Sequence, residues 1–245
     1  MRRTYVPAVA AGAFMIVAGA TTAVAQDTSR AVAGGGISVP GWAGKIDASE
    51  AGKGAKLTDA KLAKMGNDMH VTTGPAVAYW NPANKATGDY TVKAKFTEAK
   101  YMGLNDHPHP YGIMIAGNDL GTDQQSYLYC AAYGNGSFIV RGFGPAPFQL
   151  NGRRGETHAA VNKAAGKDQP VSQEIAVSVK GDDITCAINV TGDRVECEIN
   201  GTVVASYPKS DVVADGKLAS TDGIYGIRFG HNTEAHVSGL TMTKN

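Results

Sequence analysis

The sequence predicts an all-β protein, an antiparallel jelly-roll sandwich with little helix. Charged residues make up only 18% of the chain while glycine occurs 31 times, a balance typical of turn-rich antiparallel sheets and not of helical bundles. The segment 90–96 alternates Tyr, Val, Ala and Phe with Thr, Lys and Lys, which is the period-2 pattern of a half-buried strand. Short strand-like runs separated by turn residues then continue to Met242 without intervening helices.

The first 25 residues have the features of a cleavable signal peptide. Arg2 and Arg3 precede an apolar run over 6–20, and residues 23–25 (Ala-Val-Ala) form a small-x-small cleavage pattern before Gln26. A membrane anchor is the alternative interpretation, but the apolar run is short and rich in Ala and Gly. We therefore expect a secreted protein, periplasmic or extracellular, with no membrane span after cleavage.

The mature chain is expected to form one domain. Residues 26–40 are small, polar and Gly-rich, which predicts a flexible leader, and residues 41–245 are long enough for a single β-sandwich domain. Loss of the signal peptide leaves 21 basic against 22 acidic residues, a formal charge of −1. This charge gives no electrostatic attraction to nucleic acid. A glycan or another envelope ligand is the expected partner, and the sequence does not indicate an oligomeric state.

Turn signals divide the domain into successive strands. A short helix is possible over 59–65, before the first clear strand. The segments 126–132 and 137–141 flank Asn135-Gly136 and are predicted to be antiparallel neighbours. A four-stranded meander is predicted further along, in which 181–189 resembles 192–200 at an offset of 11 residues. Its strands are 174–180, 184–190, 194–199 and 202–207.

The three cysteines leave the disulfide pairing open. Export would permit a disulfide. A two-residue turn at 191–192 would place Cys186 opposite Cys197 with both sulfur atoms facing inward, where they could form a bond or remain two buried thiols. Cys130 lies in a Tyr-rich strand and is expected to be buried.

The hexapeptide 105–110 (Asn-Asp-His-Pro-His-Pro) carries two histidines in a segment that its prolines hold extended. The rings of His107 and His109 then project to one side, where they could share a metal with a third ligand. Candidates for that ligand are Asp106, His231 and His236. Because the spacing fixes none of them, the sequence favours a rigid solvent loop with ordinary hydrogen bonds, and neither a metal nor a cofactor is predicted.

A ligand surface is predicted around the strand 111–116. Tyr127 and Tyr129 share one strand face, where their rings could stack on a sugar, although core packing is the alternative. The strand begins at the histidine loop, ends at Asn118-Asp119 and neighbours the tyrosine strand, so these groups should border one concave surface. The predicted ligand-binding residues are His107, His109, Asn118, Asp119, Tyr127, Tyr129 and Arg141. Core packing is expected for Trp42 and Phe138.

Catalytic motifs are absent from the sequence. There is no Gly-x-Ser-x-Gly elbow, His-Glu-x-x-His helix, phosphate-binding glycine loop or Cys-x-x-Cys pair. The nearest local carboxylate pair, Glu196 and Glu198, fits a charged solvent face better than glycoside hydrolysis. The sequence therefore favours a non-catalytic module that binds a glycan or another envelope ligand. A glycoside hydrolase or lyase with carboxylates from separate strands is the alternative, and a purely structural envelope protein is a third.

The order of strands and turns resembles a known superfamily. The segments that carry the resemblance are 111–115, 126–129, 177–181, 199–204 and 223–228. From Trp42 to the C-terminus the chain resembles the concanavalin A-like lectin/glucanase superfamily, near secreted bacterial 3-keto-disaccharide hydrolase-like domains. The resemblance implies the jelly-roll fold far more than an activity. Glucanases of this superfamily carry a Glu-x-Asp-x-Glu-like strand, which this chain lacks, so their catalysis is not carried over.

Overall fold

The computed structural model describes residues 30–101, 107–144, 146–152, 155–181 and 193–245. They form two sheets of eight strands each, which enclose a common core. With strands numbered along the chain, sheet A has the spatial order β1 (Gly36–Ile37), β3 (Ala60–Met65), β4 (Asp68–Thr73), β16 (Glu234–Lys244), β6 (Tyr90–Glu98), β12 (Val171–Lys180), β13 (Arg194–Ile199) and β14 (Thr202–Pro208).

Sheet B forms the second layer. Its spatial order is β10 (Pro147–Gln149), β9 (Ser137–Phe143), β8 (Ser126–Ala132), β7 (Tyr111–Asn118), β15 (Gly223–Phe229), β5 (Val77–Ala86) and β2 (Ala43–Ile46), with β11 (Glu156–Thr157) also paired to β9. Two short helices, α1 (Ala48–Ala51) and α2 (Lys209–Val212), and a 3-10 helix (Leu57–Asp59) complete the described elements. Paired strands are antiparallel except for β1 and β3. The predicted all-β antiparallel jelly-roll sandwich is confirmed.

The core lies between the sheets and follows the alternation in the sequence. On β6, Tyr90, Val92 and Phe96 are buried, while Lys93 and Lys95 point to solvent. The central strands of sheet B differ, because β7 and β8 are buried on both faces. Sheet B therefore carries a second apolar layer on the face that points away from sheet A. Within the described residues, no helix is long and apolar enough to span a membrane.

A disulfide joins the two sheets through this core. The sulfur atoms of Cys130 on β8 and Cys197 on β13 are bonded, with Cα atoms 5.9 Å apart. Of the arrangements that the sequence left open, a bond between Cys197 and Cys186 is thereby excluded; Cys186 lies outside the described ranges. In the register of β13, Cys197 is opposite Val177 on one side and Ala205 on the other. Both edges of β13 are therefore occupied.

The same register corrects the predicted meander. β12 pairs directly with β13, and the predicted strand 184–190 falls outside the described residues. The hairpin of β8 with β9 and the Asn200-Gly201 turn between β13 and β14 are as predicted. Both turn residues have the positive φ angles, 52° and 78°, that such a hairpin turn requires.

Two predictions near the N-terminus are corrected. The possible helix over 59–65 is mainly strand β3, in which Ala60 and Leu62 are buried with period 2. The described part of the predicted flexible leader, 30–40, is attached to sheet A, where β1 pairs with β3. Glycine makes this close approach possible, because a Cβ on Gly35 would lie 1.8 Å from the carbonyl oxygen of Thr58. The domain therefore begins before Gly41.

Candidate functional site

The predicted ligand residues do not share one surface. His107 and His109 precede the first residue of β7, whereas Asn118 and Asp119 lie at its other end, so the eight-residue strand separates them. The side chain of Asn118 has a structural role, because its amide donates hydrogen bonds to the carbonyl oxygens of Ala116 and Asp222. The predicted shared surface is thus corrected, while a ligand-binding role for the individual residues stays a prediction.

The outer face of sheet B carries the two predicted tyrosines. Tyr127 is fully buried and Tyr129 is 4% exposed, in a cluster with Trp80 and Met114 that we call the outer-face cluster. The rings of Tyr127 and Phe143 have centroids 5.1 Å apart. Strand alternation points these side chains away from the inter-sheet core, but their neighbours cover them. Their rings are not available for sugar stacking in this conformation.

A buried ion pair lies within the outer-face cluster. The Arg228 guanidinium donates to an Asp47 carboxylate oxygen at 2.6 Å, and its central carbon lies 5.5 Å from the Tyr129 ring centroid. Burial lowers the pKa of Arg228. Asp47 and the neighbouring phenols together raise this pKa by more than burial lowers it, so the net shift is upward. Arg141 is half-buried above the Phe143 ring, at 5.6 Å. The arginines therefore act first as structural partners of the aromatic rings.

A cleft of about 450 Å³ opens elsewhere, where the segment before β2 meets the β3–β4 hairpin, β15 and β16. Two half-buried aromatic residues, Trp42 and Tyr225, line it. Its hydrogen-bonding side chains are those of Lys64, Asn67, Asp68 and Asn84. We call it the Trp42–Tyr225 cleft. It combines apolar ring surface with a few polar groups, which is typical of small-ligand sites.

Two β-bulges contribute lining residues to this cleft. The register of β15 shifts between Ile224 and Gly226 against both neighbouring strands, and the extra residues lie opposite Tyr225, on β7 and on β5, where they include the lining residue Asn84. The register of β16 shifts between Ser238 and Thr241, where Gly239 has a φ of +63°. Bulges redirect side chains and are frequent beside functional sites. Trp42 packs against the core as the sequence predicts and also lines the cleft. The cleft itself was not predicted, although a glycine inside a strand pattern, such as Gly239, is a signal for a bulge.

Three histidines meet at the other end of sheet B. A ligand nitrogen from each of His107, His109 and His231 lies within 4.8 Å of the others. The Nε2 atoms of His107 and His231 are 3.3 Å apart, and the ring centroids of His109 and His231 are 4.4 Å apart. His231 is thus the residue, among the three the sequence left open, that joins the pair. Asp106 lies outside the described residues, and His236 instead contacts His70.

Backbone contacts hold the histidine cluster together. The amide of Gly230 donates to the carbonyl oxygen of Pro110 at 2.7 Å, and a Cβ on Gly230 would lie 2.6 Å from the Pro110 ring. The Thr73 hydroxyl donates to the Gly230 carbonyl oxygen at 2.7 Å. The turn that carries His231 is therefore fixed against the proline-rich segment that carries His107 and His109.

The environment of His109 favours its neutral form. Burial, followed by the positive charge that His231 and His107 would carry, lowers the pKa of His109 from 6.5 to about 3. On the far side of the cluster, His231 Nδ1 lies 3.9 Å from a carboxylate oxygen of Glu50. This oxygen also accepts a hydrogen bond from the amide of Ala76 at 3.1 Å.

The carboxylate pair considered for glycoside hydrolysis lies on the solvent side of sheet A. Glu196 forms an ion pair with Lys180 and accepts a hydrogen bond from the Ser206 hydroxyl. Cys197 between the two glutamates points inward to its disulfide, so Glu196 and Glu198 point outward together. These contacts agree with a charged surface.

Comparisons with known proteins concern the fold. No protein family matches the sequence, and no curated protein matches it. The carbohydrate recognition domain of Emp46p is similar over 82% of this chain and 87% of its own, at 8% identity and a TM-score of 0.47. An endo-beta-1,3-glucanase from Pyrococcus furiosus is similar over 83% of this chain and 88% of its own, at 12% identity and a TM-score of 0.48. Sheep galectin-11 is similar over 74% of this chain and 100% of its own, at 9% identity and a TM-score of 0.42. The likeness is one of fold alone.

Proposed function

We propose that this protein is an exported, non-catalytic module that binds a glycan in the Trp42–Tyr225 cleft. One observation carries the proposal: two half-buried aromatic side chains and four hydrogen-bonding side chains line the same cleft, and β-bulges form part of its wall. Aromatic faces stack on the apolar faces of sugar rings, and amide and charged groups orient the hydroxyls. The cleft supplies both kinds of contact.

The charges of the cleft favour an uncharged sugar. Lys64 and Asp68 belong to one hairpin and supply one positive and one negative group. Asn67 and Asn84 add amides, each of which both donates and accepts hydrogen bonds. We expect neutral oligosaccharides to bind better than polyanionic ones, since no excess of positive charge is available for carboxylates or sulfates.

Binding should depend on the two aromatic rings. We expect Trp42→Ala and Tyr225→Ala each to weaken binding to a glycan identified on an array by about tenfold, equivalent to about 1.4 kcal/mol. Isothermal titration calorimetry would measure the affinity. Tyr207→Ala is the matched control, because Tyr207 is also half-buried against the core but does not line the cleft. Equal affinities for all three variants and the unmodified protein would reject this site.

The same titrations distinguish the competing proposals. Loss of binding in Arg141→Ala with full binding in Trp42→Ala would place the ligand at the outer face of sheet B, as first predicted from the sequence. Release of reducing sugar from a polysaccharide, abolished by substitution of an acidic residue, would instead support the glycoside hydrolase or lyase. The non-catalytic proposal expects no release.

Export is a separate part of the proposal. Expressed in a bacterium with its native N-terminus, the chain should be recovered from the periplasm or medium with Gln26 as its first residue, because the cleavage pattern ends at Ala25. N-terminal sequencing would check this. Ala25→Leu should block processing, since the peptidase requires a small residue at this position. Recovery of the native chain with Met1 in the membrane fraction would contradict cleavage and support a membrane anchor, and recovery from the cytoplasm would contradict export.

A further inference from the structure

We propose that His107, His109 and His231 bind a divalent transition metal ion such as Zn²⁺. The site lies at the end of sheet B where β7 begins and β15 ends. It is independent of the proposed glycan cleft, because none of the three histidines lines that cleft.

The spacing of the nitrogen atoms fits metal coordination. Two imidazole nitrogens that bind zinc tetrahedrally at about 2.05 Å lie about 3.3 Å from each other. The Nε2 atoms of His107 and His231 are 3.3 Å apart, and all three histidines keep a ligand nitrogen within 4.8 Å of the others. Small rotations of the rings would bring all three nitrogens to one ion. Three histidines with an open position form the ligand set of several zinc sites.

The ligands come from two rigid segments. Pro108 and Pro110 restrict the backbone around His109 and keep the segment extended, so His107 and His109 project to the same side. His231 follows Gly230, whose amide and carbonyl groups are both bonded to neighbouring segments. Because the fold already determines these positions, binding would require little ordering of the chain.

The surroundings of His231 resemble the outer shell of a metal site. Ligating histidines usually direct their second ring nitrogen to a carboxylate or carbonyl group, which orients the ring and raises its basicity. Here Nε2 of His231 faces His107, while Nδ1 faces the Glu50 carboxylate at 3.9 Å. Glu50 is itself oriented by the amide of Ala76. Glu50 is therefore a positioning residue for His231.

The ligand type determines the class of metal. Imidazole nitrogen suits zinc, copper, nickel and iron, whereas calcium and magnesium require mainly oxygen ligands. The three clustered histidines supply only nitrogen. We therefore expect Zn²⁺ to bind and Ca²⁺ and Mg²⁺ not to compete for the site.

Zinc titration of the mature full-length protein tests the site. The protein should be purified without a polyhistidine tag, stripped with a chelator and titrated with Zn²⁺ by calorimetry. We expect one equivalent to bind, with a rise in Tm of about 5 °C or more at a hundredfold excess over Kd. His107→Ala and His231→Ala should each lower the affinity by more than the roughly 10- to 100-fold expected for Glu50→Gln.

The other histidines of the chain supply the controls. His158→Ala should retain full zinc affinity, as should His70→Ala/His236→Ala, which removes a second pair of adjacent rings. His107 lies at the surface, so His107→Ala should keep the fold even where a substitution of buried His109 does not. Absence of saturable zinc binding, or unchanged affinity in both ligand variants, would overturn the proposal. Equal competition by Ca²⁺ would overturn the assigned metal class.

Discussion

Removal of the Cys130–Cys197 disulfide is expected to lower the free energy of unfolding by about 4 kcal/mol, because the bond closes a long loop in the unfolded chain. The two cysteines are 67 residues apart in sequence and belong to opposite sheets. In a chain of this size such a loss corresponds to a fall in Tm of about 10 °C. Urea unfolding with and without a reductant would measure the effect.

The third cysteine supplies the control for this prediction. Cys186→Ser should leave the unfolding midpoint unchanged and still lose stability on reduction, whereas Cys130→Ala/Cys197→Ala should be insensitive to the reductant. Thiol titration of the denatured, unreduced protein should find one thiol, since two of the three cysteines are bonded. Three titratable thiols, or one that persists in Cys186→Ser, would contradict the assigned pairing.

Asp47→Ala is expected to destabilise the protein by about 3–5 kcal/mol, because it would leave the Arg228 charge buried without its carboxylate partner. Arg228 is only 5% exposed, and its guanidinium bonds Asp47 at 2.6 Å. The predicted loss corresponds to a fall in Tm of about 10 °C in thermal unfolding. The double variant Asp47→Ala/Arg228→Met should recover most of the lost stability, since the apolar side chain removes the uncompensated charge.

A neighbouring ion pair provides the comparison. Lys45, also on the β2 side of sheet B, pairs with Asp123, whose side chain is fully exposed. Asp123→Ala should leave Tm unchanged, because solvent screens an exposed pair. Equal effects of Asp47→Ala and Asp123→Ala would show that burial does not determine the strength of the Arg228 pair. A double variant no more stable than Asp47→Ala would show that lost packing causes the effect.

Local sequence patterns predict the positions of strands better than they predict which side chains form a binding site. Hydrophobic alternation correctly placed Tyr127 and Tyr129 on one face, but it could not show that Phe143 and Arg228 would cover that face. Trp42 packs against the core as the sequence predicts, but its position at the cleft is not visible in the sequence. The other residues that line its cleft come from strands far along the chain, among them β15 and β16.

The histidine cluster was also predictable only in part from the sequence. The extended His-Pro-His-Pro segment indicated two rings on one side, because proline restricts its own φ and the residue before it. The third histidine lies 122 residues beyond His109, on the turn after β15, as the numbering shows. Only the pairing of β7 with β15 brings it alongside.

The sequence by itself determined the all-β class, the hairpin of β8 with β9 and the Asn200-Gly201 turn, because period-2 alternation and positive-φ turn residues act between near neighbours in the chain. Only the tertiary structure decided which strands became neighbours across long connections. It thereby paired Cys130 with Cys197, buried Arg228 against Asp47 and joined His231 to His107 and His109. The physical reason is that these contacts depend on sheet order and register, which result from packing of the whole core and leave no local pattern in the residues involved.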